Sequence, residues 1–215
     1  MTTMPLSPDE LLTTTRTVRK RLDLTRPVPL EVIRECLEIA LQAPSGSNTQ
    51  GWHWLVINDE AQRAKLGELY RRAVAKYQES PSYAGRLYAD DAERGPVQRR
   101  IGDSVSYLAD HIDEVPVLVI PCIRAGRTLP AGNQSGLWGS LLPAAWSFML
   151  AARARGIGTA WTTLHMTYED EAAEILGLPD DVKQGLMIPT AYYTGDTFKP
   201  APRQPLDEVL HIDRW

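Results

Sequence analysis

The sequence predicts an α+β fold, in which a central sheet is covered by helices that do not alternate regularly with the strands. Two observations support this class. Each of the first two strand-like segments follows two segments with helical periodicity, and this departure from strict alternation disfavours a doubly wound parallel sheet. No repeat, low-complexity segment or linker divides the 215 residues, and an apolar fraction of 43% supplies one sizeable core. We therefore treat residues 1–215 as a single domain.

Helix-capping and strand signals set the first three elements. Ser7-Pro8-Asp9-Glu10 combines a capping serine, a proline at the first helical position and a glutamate that completes a capping box. The helix that starts there should run to about Thr15. A second helix with one apolar face is predicted from about Pro29 to Pro44. The alternating apolar residues at 52–58 then predict a strand.

The middle of the chain predicts two helices, a loop and a buried strand. Residues 60–77 are amphipathic, whereas residues 80–96 lack periodicity and predict a long mobile loop of the kind that often forms a lid. A further helix is expected at residues 97–111. The nearly continuous apolar run at 115–123 is typical of a strand that is buried on both faces.

The second half of the chain continues with a loop at residues 124–135 and a helix at residues 137–155. No charged residue occurs from Thr128 to Ala152, and Pro143 interrupts the apolar part, which is shorter than the roughly 20 residues needed to span a membrane. We expect a buried helix that is covered in part by a partner subunit. The remaining predicted elements are a strand at 157–161, a helix at 168–176, a strand at 186–193 and a proline-bearing tail at 199–215.

Charge and cysteine usage argue against several classes of function. The net charge of −4 disfavours a general nucleic-acid binder, although four cations are concentrated in residues 16–21. Cys36 and Cys122 form no C-x-x-C pair and are expected to be buried free thiols in a reducing compartment. The start of the chain lacks the charged and apolar regions of a signal peptide. We therefore expect a cytoplasmic protein that has neither a nucleic-acid nor a membrane partner.

Familiar catalytic motifs are incomplete in this chain. Residues 46–51 have the glycine spacing of a Walker A loop, but Trp52-His53 replace the required Lys-Ser/Thr. Residues 156–161 begin like a dinucleotide-binding motif, yet they follow a helix and lack the last glycine. No G-x-S-x-G elbow occurs, and the four histidines have no metal-ligand spacing. We therefore predict no metal site and no catalytic side chain, and expect a bound cofactor to supply any reactivity.

Three segments together resemble a known family. Thr15-Arg16-Thr17-Val18-Arg19 offers guanidinium groups that suit a phosphate. Ala43-Pro44-Ser45-Gly46-Ser47-Asn48-Thr49-Gln50-Gly51-Trp52 is an uncharged turn with two carboxamides, and Arg203-Gln204-Pro205-Leu206-Asp207-Glu208-Val209 lies in the tail. In order and spacing they resemble the phosphate motif, the flavin-contacting turn and the C-terminal motif of the nitroreductase-like flavoprotein family, which binds FMN. Thr15 and Gly51 stand where that family usually has arginine and proline.

The resemblance implies a set of cofactor-binding residues. They are Arg16, Thr17, Arg19, Pro44, Ser45, Ser47, Asn48, Gln50, Thr162, Thr163 and Arg203. The arginines and Thr17 would hold the FMN phosphate and nearby ribityl oxygens. The turn residues would line the ring or the ribityl chain, from one subunit or its mate. The two threonines follow a fourth matching segment, residues 156–161, and would lie near the reactive ring nitrogen; whether Lys20 or Arg21 also contacts the phosphate stays open.

The resemblance also implies an architecture and an activity. The expected fold is a central, mostly antiparallel mixed sheet flanked by helices, in an intertwined two-fold homodimer whose C-terminal tail, residues 197–215, lies on the partner. The expected activity is that of an FMN-dependent oxidoreductase: NADPH or NADH reduces FMN by hydride transfer, and an electron-poor nitroaromatic or quinone is then reduced in a ping-pong cycle. Loops 80–100 and 124–136 are the lid candidates. Their aromatic residues would either stack on the acceptor or pack in the protein: Tyr83, Tyr88 and Trp138.

Two alternatives remain open from the sequence. The same fold could carry another flavin reaction, such as reductive dehalogenation, ene reduction or flavin breakdown. It could instead belong to a protein that sequesters or senses flavin without turnover. The sequence names neither the physiological acceptor nor the preferred nicotinamide, because it has no Rossmann-type acidic or basic discriminator.

Overall fold

A computed structural model describes residues 3–215. Met1 and Thr2, which belong to the segment expected to lack a signal peptide, lie outside the described residues. The described residues form the helices α1 (Pro8–Thr14), α2 (Leu30–Ala40), α3 (Glu60–Glu79), α4 (Arg94–His111), α5 (Ser135–Arg153) and α6 (Glu169–Leu176), and the strands β1 (Trp52–Ile57), β2 (Val117–Arg124), β3 (Ile157–Thr159), β4 (Val182–Gln184) and β5 (Ile188–Tyr192). The predicted α+β class is confirmed.

The strands form one sheet of order β1-β2-β5-β3, and β4 pairs with β2 beyond the end of β5. Each named strand pair is antiparallel. A parallel bridge joins Thr17 to Thr159, so the sheet is mostly antiparallel, as expected. This order places β1 at one edge of the sheet and β3 at the other.

Side chains of β2 alternate between two apolar clusters. Leu118, Ile120 and Cys122 belong to the cluster that includes residues of α3 and α4. Val117 and Val119 belong to the cluster that includes residues of α2 and α5. Successive side chains of a strand point to opposite faces, so an apolar strand has to be covered on both sides. The molecule is therefore built in three layers, with the sheet between two helix layers.

Several local predictions are confirmed. The Ser7 hydroxyl accepts from the Glu10 N–H (3.2 Å) and the Glu10 carboxylate accepts from the Ser7 N–H (2.8 Å), which is the expected capping box. Both cysteines are buried free thiols. Helix α5 is largely buried and continues through Pro143. Among residues 3–215, no helix combines the length and apolarity required to cross a bilayer.

Two elements differ from the sequence prediction. Helix α4 begins at Arg94, before the expected residue 97, because the Asp91 carboxylate accepts from the N–H groups of Glu93 (2.9 Å) and Arg94 (2.8 Å). Pro96 lies in the first turn, where its missing N–H costs no hydrogen bond. Strand β4 was not predicted, since three residues are too few to show a period.

The expected mobile loop after α3 is a hydrogen-bonded turn. Residues Ala84–Arg86 form a 3-10 helix, and the Ala84 N–H donates to the Tyr77 hydroxyl (2.8 Å). The Tyr83 ring packs edge-on against Tyr77, with ring centres 5.3 Å apart. The segment is irregular apart from this 3-10 turn, as predicted, and the hydrogen bond to Tyr77 ties its start to α3.

We predict that Gly102→Ala destabilises the protein. A Cβ at this position of α4 would lie 2.7 Å from the Tyr83 hydroxyl and 2.9 Å from the Gly85 Cα, so the helix and the turn would have to separate. The expected loss in free energy of unfolding, measured with urea, is about 1–3 kcal/mol. An ordinary Gly→Ala change in a helix instead gains up to about 1 kcal/mol.

The exposed neighbour Asp103 supplies a control for this prediction. Asp103→Ala raises helix propensity without a new contact and should be neutral or stabilising. If Gly102→Ala is as stable as the unaltered protein, the packing argument for the turn is wrong.

Candidate functional site

The cationic segment, residues 16–21, runs along the β3 edge of the sheet. Thr17 bridges to Thr159, and the Val18 N–H donates to the Thr159 carbonyl (2.8 Å). Val18 is buried and fixes the segment, Thr17 is exposed, and Arg16 and Arg19 are both half-buried. One Nη of Arg16 donates to the Lys199 carbonyl (2.8 Å), and Arg19 Nη1 donates to Ser104 Oγ (3.2 Å).

The arginines predicted to bind phosphate have no acidic partner. Among residues 3–215, no carboxylate lies within 4.0 Å of the guanidinium of Arg16, Arg19 or Arg203. Arg19 Nε is buried without a hydrogen-bond partner. Burial lowers the pKa of Arg19, and the nearby hydroxyls of Tyr70 and Tyr77 oppose that shift. A buried cation without a counter-ion is costly, so this arginine is suited to an anionic ligand.

The structure separates the roles of Lys20 and Arg21. Arg21 donates from Nε to the Thr194 carbonyl (2.6 Å) and from Nη1 to the Thr197 carbonyl (2.9 Å). Its guanidinium stacks 4.2 Å from the Phe198 ring centre. Lys20 is exposed. Arg21 therefore anchors the root of the tail, residues 194–198.

Arg203 lies apart from the cationic segment. Its described hydrogen bond is to the carbonyl of its own neighbour, Pro202 (3.3 Å). It lines a groove between the tail and the start of α4, together with Arg94 and Gln98. The tail approaches the cationic segment four residues earlier, where the Lys199 carbonyl meets Arg16.

The uncharged turn, residues 43–51, is tied to the first half of α5. The Gly46 N–H donates to Ser140 Oγ (2.9 Å), and Trp52 Nε1 donates to the Ser140 carbonyl (2.7 Å). Within the turn, Ser45 Oγ accepts from the Gln50 N–H (3.1 Å). Gln50 Nε2 donates to Asn48 Oδ1 (3.0 Å), so the two carboxamides lie side by side at the surface.

The turn also concentrates unusual backbone geometry. Ser47, Asn48 and Gln50 have φ values of 52°, 53° and 50°. Residues other than glycine seldom adopt this left-handed region, and such strain tends to occur at ligand sites. Pro44 precedes these residues at the surface. The geometry presents the Asn48 and Gln50 carboxamides in a fixed relation.

A single chain keeps the turn and the cationic segment apart. The turn contacts α5 at Ser140, whereas Arg153, at the other end of α5, donates to Thr14 Oγ1 (3.4 Å), just before the cationic segment. Thirteen helical residues between these contacts correspond to about 20 Å. The sheet order agrees with this separation. The turn leads into β1 at one edge of the sheet, and the cationic segment lies beside β3 at the other edge.

Thr162 and Thr163 differ sharply in their surroundings. Thr162 is buried; its N–H donates to the Met187 carbonyl (3.1 Å) and its hydroxyl meets the Tyr70 hydroxyl (2.9 Å). Thr163 is exposed, and neither its N–H nor its hydroxyl bonds to another of residues 3–215. Of the two, Thr163 has the hydrogen-bonding groups that a ligand could use.

Sequence reasoning missed the polar residues that support these segments. Ser140 and Tyr70 carry no sequence signal, because their partners are more than 85 positions away. His165 is fully buried two residues after Thr163, with both ring nitrogens unpartnered within the described chain. Burial lowers the pKa of His165 from 6.5 to about 4, against a smaller opposing effect of Gln184. No cluster suited to a metal ion occurs among residues 3–215.

Comparison with known proteins places this geometry in context. A sequence model described as the nitroreductase family matches residues 12–192. The chain is 29% identical over 202 residues to a chloronitrobenzene nitroreductase from Comamonas testosteroni, covering 83% of this chain and 84% of that protein. It is 25% identical over 199 residues to an iodotyrosine deiodinase from Nematostella vectensis, covering 91% and 70%.

A solved structure shares the fold. The FMN-dependent nitroreductase from Mycobacterium smegmatis, crystallised in complex with NADPH, superimposes with a TM-score of 0.66 at 23% sequence identity. The superposition covers 96% of this chain and 97% of that chain. The likeness in fold therefore extends over nearly the whole molecule.

His165 should make stability depend on pH. Its pKa is lower in the folded protein than the ordinary value of 6.5, so its contribution is complete above pH 6.5 and is lost as the pH falls towards 4. Between these values we expect a slope of roughly 1.4 kcal/mol per pH unit from this residue. The measurement is the free energy of urea unfolding at several pH values, compared with His165→Gln. The exposed His53→Gln variant is the control and should keep the original slope; a His165→Gln variant with that slope would contradict the assignment.

Arg21→Ala should loosen the tail. The change removes two hydrogen bonds to carbonyls and the stacking on Phe198, so we expect a loss of about 1–3 kcal/mol in the free energy of unfolding. Limited proteolysis should also cut residues 197–215 faster. Lys20→Ala is the matched control, and a surface change of this kind should cost less than about 0.5 kcal/mol. Equal behaviour of the two variants would refute the anchoring role.

Proposed function

The chain belongs to the nitroreductase family, and on that premise we propose that it is an FMN-dependent oxidoreductase that uses NADPH or NADH to reduce an electron-poor acceptor. The observation that carries this proposal is that Arg16 and Arg19, near the β3 edge, have no acidic partner among residues 3–215. The similarity to a chloronitrobenzene nitroreductase supports a nitroaromatic as the acceptor class, with quinones as a second class.

The β3 edge fits the phosphate end of FMN. Arg16 uses one nitrogen for the Lys199 carbonyl, which orients the guanidinium and leaves further donors for a phosphate. Arg19 is held by Ser104 and keeps an unpartnered Nε. Thr17 adds an exposed hydroxyl between them. Arg203 would join them from the tail of one of the subunits.

The uncharged turn fits the ring end. Asn48 and Gln50 together offer amide donors and acceptors, which suit the neutral polar edge of an isoalloxazine ring. Ser45 and Ser47 supply hydroxyls near the ribityl chain, and Pro44 contributes an apolar surface. Because the turn is already held in strained left-handed conformations, little ordering is required on binding.

The turn and the start of the cationic segment contact opposite ends of α5. This separation supports a two-fold homodimer in which each site combines segments of both chains. A ligand held by the cationic segment of one chain would meet the turn of the other. The tail supports the same arrangement, since its apolar side chains are exposed in the single chain: Leu206, Val209, Leu210, Ile212 and Trp215. Soluble chains seldom expose such groups without a partner.

The protein's own contribution would be binding and polarisation. When bound, FMN would supply hydride acceptance from the nicotinamide and reduction of the acceptor, in a ping-pong cycle. The Thr163 N–H and hydroxyl would donate to the ring, and such donors stabilise the negative charge of the reduced form. Thr162 would hold this strand end in place. No side chain is assigned a proton-transfer role.

The lid candidates contribute differently to acceptor binding. Tyr83 packs on Tyr77, and Trp138 Nε1 donates to Gln134 Oε1 (2.7 Å), so both are engaged within the protein. Tyr88 is 46% exposed and its hydroxyl has no hydrogen-bond partner among the described residues, although the Arg94 guanidinium lies 3.6 Å from its ring centre. Tyr88 is therefore the lid residue that we propose for stacking on an aromatic acceptor.

Reductive dehalogenation of a halogenated phenol is the second candidate reaction. The similarity to an iodotyrosine deiodinase over 91% of this chain favours it over ene reduction or flavin breakdown. A panel of nitroaromatic, quinone and halophenol acceptors, offered to the anaerobically reduced protein, separates the two. Reoxidation by halophenols alone would replace the leading proposal.

We predict that Arg16→Ala and Arg203→Ala weaken FMN binding by roughly 10- to 100-fold, the loss expected for a charged hydrogen bond to phosphate. Their unfolding midpoints should change little, since both side chains are at the surface. The measurement is fluorescence titration of apoprotein with FMN. Lys65→Ala, which removes an exposed cation outside the cationic segment, is the control.

The outcomes of this test are distinct. Unchanged FMN affinity in both variants would refute the phosphate assignment. Tight FMN binding without reduction by either nicotinamide would favour a flavin-sequestering protein. Apoprotein that cannot bind FMN at all would overturn the proposal.

A further inference from the structure

Tyr70 on α3 is an almost completely buried phenol with one polar partner. It is 1% exposed and lies in the apolar cluster between the sheet and the helices α3 and α4. Its hydroxyl is 2.9 Å from Thr162 Oγ1. A phenylalanine would fill the same space, so the hydroxyl serves a purpose other than packing.

The hydrogen bond to Tyr70 completes the fixation of Thr162. The Thr162 N–H donates to the Met187 carbonyl (3.1 Å), and the Met187 N–H donates to the Thr162 carbonyl (2.8 Å). With its hydroxyl held by Tyr70, every polar group of Thr162 is engaged. The next residue, Thr163, is exposed with its N–H and hydroxyl unengaged. Fixing Thr162 therefore fixes the direction in which Thr163 presents its donors.

Arg19 links this bond to the cationic segment. Its positive charge opposes the rise that burial causes in the pKa of Tyr70. Arg19 in turn is held by Ser104 of α4 (3.2 Å). Arg19 is thus close enough to act electrostatically on the hydroxyl that holds Thr162.

We propose that Tyr70 is a positioning residue, which holds Thr162 so that Thr163 can donate to the flavin ring. This inference rests on the proposed function, because it requires FMN beside Thr163. Loss of the Tyr70 hydroxyl would free the Thr162 side chain and misplace the Thr163 donors, with little change in packing.

The test compares Tyr70→Phe with Tyr77→Phe. Tyr77 is on the same helix, also lies near Arg19, and uses its hydroxyl to accept from the Ala84 N–H (2.8 Å) rather than to hold Thr162. The main measurement is the two-electron midpoint potential of bound FMN, from an anaerobic dithionite titration, which requires no nicotinamide. FMN affinity and the urea unfolding midpoint are measured on the same samples.

We expect Tyr70→Phe to disfavour reduced flavin about tenfold, which is a potential about 30 mV more negative. Its FMN affinity should stay within about threefold, since the phosphate contacts are intact. Tyr77→Phe should leave the potential unchanged. Thr162→Val removes the other end of the bond and should reproduce the shift, and the double variant should shift no further than either single change.

Each outcome decides the inference. A Tyr70→Phe potential equal to that of the unaltered protein overturns it, as does an equal shift in Tyr77→Phe. Shifts that add in the double variant show that Tyr70 acts without Thr162 and also overturn it. If Tyr70→Phe does not fold, Thr162→Val tests the same bond. Failure of the unaltered protein to bind FMN overturns the proposed function as well, whereas a normal FMN complex without these shifts overturns the positioning role alone.

Discussion

The two-sided burial of β2 is the constraint on which the rest of the structure depends. Its side chains are apolar on both faces, so one helix layer must cover each face. The α2/α5 layer then spans the sheet from the end that holds the uncharged turn to the end that holds the cationic segment. Along α5, Ser140, which holds the turn, and Arg153, which contacts Thr14 just before the cationic segment, lie about 20 Å apart. This separation is the structural basis of the proposal that each site combines the turn of one chain with the cationic segment of a second copy.

The same architecture explains why unusual polar burial is concentrated near the β3 edge. Strand β3 is only three residues long, so side chains near it make hydrogen bonds that the backbone of a longer strand would make. Arg153 is 2% exposed there, with its guanidinium held by the Tyr193 hydroxyl (2.6 Å) and stacked against Phe198, but with no carboxylate. Arg19 is held by Ser104. Aromatic faces and neutral oxygens partly offset the cost of these cations. They also leave a region of positive charge in which an anionic ligand has little competition from acidic side chains.

The sequence predicts elements well where a local rule decides them. The α1 capping box and the alternation of β1 are local, and both are confirmed. The start of α4 was predicted too late because Gly95-Pro96 resembles a helix breaker, whereas Asp91 had already opened the helix. The different roles of Lys20 and Arg21 could not be predicted from the sequence, because they depend on long-range contacts. Lys20 and Arg21 are adjacent cations, and what distinguishes them is a carbonyl 173 positions away. The division between Thr162 and Thr163 likewise depends on Tyr70, a long-range partner.

Gly51 shows how the site is organised without the proline that the family usually has. Its φ is not in the left-handed region, and a Cβ there would meet its nearest atoms at 3.8 Å, so glycine is not sterically required. The chain is therefore more flexible at this point than the geometry demands. The strained residues before it must be held by other means, and Ser140 holds them through Gly46 and Trp52. The order of the carboxamides thus derives from α5 together with the Ser45–Gln50 and Gln50–Asn48 hydrogen bonds within the turn. Helix α5, which separates the uncharged turn from the cationic segment, thus also helps to fix the shape of the turn.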